Sequence, residues 1–216
     1  MNAMNKTSSV RPCRLLAALA LLALGACSAL SPTATPAPAF YALDSAPLMA
    51  PARPNPGAPT LIIHAPRAAA GFDSQRIIYL RESHKLEYFA HSEWVDPPAR
   101  MLGPLLVAAI EQTGAFSAVV LTPGAVGGDL RLDTEIVRLQ QEFQGSPSRV
   151  RFTLRAYLVD DKTRRVLAWR QFEAAVDAAS DDPYSGVLAA NRAVQTVLQQ
   201  VSVFCAETVA GSALAK

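Results

Sequence analysis

Cysteine, histidine and net charge are all scarce in this chain. Three cysteines and three histidines occur in 216 residues, and the formal charge is only +2. So even a balance excludes a polycationic nucleic-acid binder and a disordered acidic chain. The apolar run Leu15–Leu24 is too short to cross a bilayer as a helix, which needs roughly 20 residues. A Gly-x-Ser-x-Gly elbow is missing, and no free cysteine stands beside a histidine, so acyl transfer lacks its nucleophile. Gly124–Gly128 has neither a Gly-Lys-Ser/Thr ending nor a following helix, so it is not a phosphate loop. ATP hydrolysis would have to belong to a partner. His84 and His91, with Glu82, Glu87 and Glu93 nearby, match no zinc-ligand spacing, and strand alternation would scatter them over two faces. No catalytic residue and no metal site are therefore expected, and the chain reads as a non-enzyme.

What the sequence does contain begins at its N-terminus. Lys6, Arg11 and Arg14 precede the apolar run, and small residues follow it, which is the pattern of an export signal over residues 1–26. Leu24-Gly25-Ala26-Cys27 resembles the lipobox of bacterial lipoproteins, in which the cysteine thiol receives diacylglycerol before cleavage. Ser28 at the next position resembles an outer-membrane address. No cofactor is expected beyond the covalent diacylglycerol and N-acyl chains on Cys27. Two or three acyl chains anchor firmly, where a single chain binds only marginally. With Cys13 in the leader and Cys27 acylated, Cys205 is left alone and no intramolecular disulfide can form. Cys205 falls on a helical apolar stripe and reads as a small buried hydrophobe.

Residues 27–59 form a tether rich in proline and alanine, extended in the polyproline manner. Phe40–Leu43 interrupts it as a short strand. The folded domain is expected over 60–208, with a fraying tail at 209–216. Thr60–His64 and Arg76–Glu82 read as strands, and Leu86–Ala90 pairs with the second through a turn at Ser83–Lys85. Ile77 and Tyr79, then Leu86 and Tyr88, alternate as in half-buried strands. Asp96-Pro97 predicts a helix start with Asp96 as its cap. That helix runs to about Thr113 with the stripe Leu102, Leu105, Leu106, Ala109 and Ile110, and Gly114 takes the left-handed position after it. Phe116–Leu121 is a short buried strand. Asp129–Glu142, Arg149–Val159 and Val166–Val176 are three long ones. A second helix enters at Asp182-Pro183 and carries Val187, Ala190, Val194, Val197, Leu198, Val201 and Cys205 on one side. One apolar stripe per helix and one apolar sheet face predict an α+β fold. It is a two-layer sandwich of a mostly antiparallel sheet with two amphipathic helices packed on one face.

The segment Arg76–Leu102 carries a family resemblance. A tyrosine-bearing strand is followed by a second strand containing Glu87-Tyr88-Phe89, then Trp94, Asp96-Pro97-Pro98 and a leucine-rich helix. This order resembles the auxiliary lipoprotein components of ABC-type transport systems, the paraquat-inducible-protein-C-like partners of MCE ("mammalian cell entry") lipid transporters. The resemblance extends from about Phe40 to Cys205. It implies a periplasmic, outer-membrane-anchored subunit for phospholipid transport and membrane integrity. Its partners would be an MCE-domain periplasmic protein with ABC permease and ATPase subunits, and the membrane through the anchor; self-association is left open.

Two groups of side chains are candidates for recognition. Tyr88, Phe89, His91 and Trp94 lie in an aromatic-rich connection; core packing is the commoner fate for Tyr88 and Phe89, and Trp94, next to polar residues and just before the helix, is the expected interface anchor. Arg149, Arg151 and Arg155 share one face of a strand. They are expected to be the wet side of the sheet, balanced by Asp129, Asp133 and Glu135, rather than a phosphate-lipid site. Two other functions stay in view: a module that itself holds an acyl chain, and a secreted hydrolase with a non-standard site.

Overall fold

A computed structural model describes residues 37–44, 52–123 and 127–214, with side chains to 211. The leader, Cys27 and most of the tether lie outside the described residues. From Pro38 onward the elements follow in this order: β1 Ala39–Tyr41, β2 Thr60–Ile63, β3 Arg67–Ala68, β4 Arg76–Leu80, β5 Glu87–Trp94, α1 Pro98–Glu111, β6 Ala118–Leu121, β7 Leu130–Glu142, β8 Arg149–Asp160, β9 Val166–Asp177 and α2 Pro183–Leu214.

The sheet is built around β7. One edge of that strand pairs antiparallel with β8 along its whole length, from Leu130↔Asp160 to Glu142↔Arg149. Along the other edge lie three short strands in succession, all parallel to it. Leu61 faces Leu130, Arg67 faces Glu135, and Tyr79 faces Gln141. β9 continues the sheet beyond β8, antiparallel. β6 extends it from β2, while β5 and then β1 extend it from β4. The long ladders are thus antiparallel and the short ones mostly parallel, an α+β sheet of nine strands. β3, two residues long, is an element that the sequence pattern did not reveal.

Both helices pack against this sheet and against each other: α2 on β7, β8 and β9, and α1 on β2, β3 and β6. The period-two pattern of β8 turns Val150, Phe152, Leu154, Ala156 and Leu158 towards the helices, and all five are buried. Every residue of the stripe read along α2, from Val187 to Cys205, is buried. Burial pushes the Cys205 thiol up to about 12, as for a thiolate that would lose its water. On α1, Leu102, Leu106 and Ile110 are buried while Leu105 and Ala109 are half-buried against the core. Gly114 closes this helix at φ +63°, a conformation that a Cβ disfavours.

The two helix entries differ. Asp182 caps α2, its Oδ1 accepting from the Ser185 amide at 2.9 Å. Hydrogen bonds from Ser180 and from that amide hold its carboxyl below the ordinary value. Asp96 was expected to do the same for α1 but does not. The helix starts one residue later, with Pro97 at the cap position and Pro98 next. A proline at the first helical position has no amide to offer, and Asp96 instead pairs with Arg100 at 3.1 Å. The C-terminal end also differs from expectation: α2 continues past Thr208 to Leu214, with Val209 half-buried against the core.

β1 belongs to the folded unit. It pairs parallel with β5, Leu43 is buried, and Asn191 of α2 holds the chain just after it. Its Nδ2 donates to the Ala42 carbonyl at 3.2 Å and its Oδ1 accepts from the Asp44 amide. The end of the tether is therefore clamped to the second helix.

Candidate functional site

The β4–β5 hairpin carries the aromatic segment. Its turn places His84 at φ +68°, and the Lys85 amide closes it on the Glu82 carbonyl. The Lys85 ammonium lies between the carboxylates of Glu82 and Glu87, at 3.8 and 3.9 Å. Among the described residues no three His, Cys, Asp or Glu side chains gather as a metal would require.

The register of the hairpin decides which aromatics face solvent. Ile78 pairs with Tyr88, yet Arg76, two residues earlier, pairs with Glu93. β5 therefore bulges between these points, and a bulge switches which face the following side chains occupy. Tyr88 and Leu86 before it are exposed, whereas Ser92 and Trp94 after it are buried. The half-buried alternation read for Leu86 and Tyr88 is thus reversed.

Trp94 is not an interface anchor. It is 3% exposed and closes the core between sheet and helix, bordering a cavity of about 10 Å³ with Leu139, Val150, Val187 and Ala190. Its amide donates to the Gln75 carbonyl at 2.7 Å, and Gln75 Nε2 donates to the Val95 carbonyl, fixing the strand end on both sides. Polar sequence neighbours had pointed outward, but the bulge turns the indole inward.

The other three candidates separate. Phe89 is half-buried, with its ring 4.6 Å from Tyr79 and 6.4 Å from Phe143; it supports the hairpin from below. Tyr88 is exposed, with the Arg76 guanidinium 4.1 Å above its ring. His91 is also exposed. The hairpin therefore offers Leu86, Tyr88 and His91 to solvent, on a base stiffened by three aromatic rings.

A second surface lies on the sheet face away from the helices. Arg151 holds Glu142 with two parallel hydrogen bonds at 3.0 and 3.1 Å and also binds Glu173. Burial acts to raise the Glu142 carboxyl, but hydrogen bonds from Arg151 and Gln140 outweigh it and hold the group below its ordinary value. The hydrogen bonds to Glu142 and Glu173 push Arg151 up. Arg155 meets Glu135 at 3.5 Å and Arg149 meets Asp177 at 3.9 Å. The arginine row is neutralised within the sheet. Of its expected partners only Glu135 serves: Asp129 binds Lys162, and Asp133 binds Arg131 and His64.

On that same face stands Trp169, 62% exposed and stacked on Tyr157 with centroids 6.2 Å apart. Sequence reasoning passed over it. The signal was its parity: Trp169 shares a face with Gln171 and Glu173, while Phe172 points to the core.

Two cavities beside the core are each too small for a lipid chain. Their volumes are about 10 and 60 Å³, against roughly 300 Å³ or more for a ligand pocket. Among the described residues no helix is long and apolar enough to cross a membrane.

The family model of the ABC-type transport auxiliary lipoprotein component matches residues 41–202, from the last residue of β1 into α2. The chain belongs to this family. Among solved structures, protein XCC0632 from Xanthomonas campestris is 25% identical, with a TM-score of 0.72 over 81% of this chain and 98% of that one. A second, uncharacterized protein is 16% identical, with a TM-score of 0.59 over 80% of this chain and 98% of its own. No curated protein matches the sequence. The family is described as a component auxiliary to ABC-type transport.

Proposed function

We propose that this auxiliary lipoprotein is a non-catalytic subunit of an MCE-type lipid transport system, fixed to the periplasmic face of the outer membrane by acyl chains on Cys27. The observation that carries the reading is the order of its parts. A lipobox-like Leu24–Cys27 and a proline-rich tether lead directly into a domain that matches the auxiliary family from Tyr41 onward. An acyl anchor holds one end, and the domain binds the periplasm-spanning MCE protein whose permease and ATPase supply the energy.

The hairpin surface of Leu86, Tyr88 and His91 is the proposed contact with that partner, with Phe89 as its support. Tyrosine on a rigid base loses little entropy on binding. The Trp169–Tyr157 face is a second aromatic platform available to a protein partner. Direct lipid carriage is less well supported, because cavities of about 10 and 60 Å³ are too small for an acyl chain. Self-association of the domain is compatible with the same arrangement.

The test is co-isolation of the MCE-domain protein from membranes of a Gram-negative host expressing the whole system. The wild-type chain should retain the partner in the outer-membrane fraction. Cys27→Ser should leave the chain unacylated, with its leader uncleaved or wrongly cleaved, so that it is lost from the outer-membrane fraction. Retention of Cys27→Ser in that fraction, or absence of the MCE protein from wild-type eluates, would refute the reading.

A further inference from the structure

The ends of the sheet are not alike. β1 and β6 are three and four residues long, and very short end strands are one way a sheet avoids unwanted pairing. β9 is 12 residues long and, among the described residues, pairs only with β8. It contains no proline, glycine or lysine, and its ladder runs without a register shift from Ala168 to Asp177. The direction of its backbone groups follows from that ladder. The Ala178 amide donates to the Ser148 carbonyl at 2.8 Å, one residue beyond the Arg149↔Asp177 pair. Peptide groups of an antiparallel strand alternate between its two edges. Ala168, Arg170, Phe172, Ala174 and Val176 therefore bond to β8, while the amides and carbonyls of Trp169, Gln171, Glu173 and Ala175 point away from the sheet. These last four residues are all exposed.

Side chains along the edge state what kind of strand it fits. On the helix side, Phe172 meets Phe204 of α2 with centroids 5.6 Å apart. The exposed Arg170 lies over both rings, at 5.8 and 5.1 Å. Among the described residues Arg170 forms no ion pair, whereas Arg149, Arg151 and Arg155 on the other face each do. A charge on the inward face guards an edge against arbitrary pairing, and here it favours a strand that brings a carboxylate. On the face away from the helices the edge offers Trp169 and Gln171, while Glu173 is already held by Arg151 and Thr153.

A second copy of the chain does not meet this requirement. Two β9 strands paired antiparallel set residues of like face opposite one another. The acids of β9, Glu173 and Asp177, lie on the face opposite to Arg170, so in no such register does the copy's β9 bring it a carboxylate. An extended peptide added to a free edge gains affinity from main-chain hydrogen bonds and specificity from alternate side chains. We infer that the free edge of β9 receives an extended, proline-free segment of a partner protein as an added strand, with an acidic side chain of that segment set against Arg170. The inference assigns the segment to the MCE-domain protein proposed above and rests on that reading.

The test is co-isolation of the MCE-domain protein with the full acylated chain from a Gram-negative host expressing the whole system, each variant being checked by thermal melting. Proline is tolerated on an edge strand where the amide faces solvent, so Gln171→Pro removes an outward donor and leaves the β8 ladder whole. It should recover several-fold less MCE-domain protein than Gln171→Ala, which keeps the amide. Arg170→Glu should also lower recovery several-fold. In the wild-type complex the outward amides of Trp169, Gln171 and Glu173 should exchange with deuterium several-fold more slowly than in the free chain, a readout that needs no variant to fold. Equal recovery by folded Gln171→Pro and Gln171→Ala, or outward amides that exchange as fast in the complex as in the free chain, would overturn the inference alone and leave the hairpin as the contact. Wild-type eluates without the MCE-domain protein would remove the proposed partner and the inference together.

Discussion

Gly186, in the first turns of α2, lies directly beneath the carboxamide of Gln141 on β7, and a Cβ at that position would overlap it. Gln141 is 2% exposed and donates to Ser148 Oγ at 3.0 Å, so it cannot simply swing aside. Gly186→Ala gains about 1 kcal/mol of helix propensity but incurs overpacking of about 1–3 kcal/mol. Net destabilisation is expected. In a Gln141→Ala background the same change should become stabilising, a reversal that a double-mutant cycle by urea denaturation reads directly. Equal effects in both backgrounds would show that the two residues do not compete for space.

Trp94 and Tyr88 should respond in opposite ways to truncation. Trp94→Ala empties a buried site and should lower stability by about 3–5 kcal/mol. Tyr88→Ala removes only its cation–π contact with Arg76, worth about 0.5–1 kcal/mol, yet should weaken capture of the MCE-domain protein proposed as its partner. Thermal melts and surface-immobilised binding measured on the same two variants check both halves.

The buried side of α2 is tested by neighbours. Leu198→Ala should cost about 2–5 kcal/mol through transfer and cavity terms. Gln199→Ala, on the exposed side, should stay within about 0.5 kcal/mol. Denaturant midpoints that fall equally would mean the helix presents a different face.

Acid should loosen the outer sheet face through Glu142. Its folded-state carboxyl lies below the ordinary value of 4.5, so the stability it contributes is fully present above that pH and is lost as pH falls through the folded value. Arg151, pushed further up, stays charged throughout. Glu142→Gln should therefore flatten the decline of stability between about pH 5 and pH 3. An unchanged slope would show that Glu142 has no depressed pKa.

Cys205 should be silent in the folded chain. With its thiol buried and pushed up to about 12, reaction with a maleimide at pH 8 should follow unfolding and not precede it. Rapid labelling without loss of helical circular dichroism would contradict its place in the core.

Much of the fold could be read from local periodicity. The stripe of α2, the alternation of β8, the cap at Asp182 and the left-handed Gly114 depend on each residue and its near neighbours, and all stand in the structure. The candidate site was less legible because its faces depend on register. One bulge in β5 leaves Tyr88 outside and sends Trp94 into the core; no local pattern announces a bulge, since it arises from the competition between strand pairing and core packing. Likewise only the folded sheet set β2, β3 and β4 parallel along one edge of β7, paired Arg151 with Glu142 and Glu173, and clamped the tether end to Asn191. These are contacts between residues distant in sequence. Their side-chain types fix which face is apolar, whereas their partners are chosen by how the elements pack.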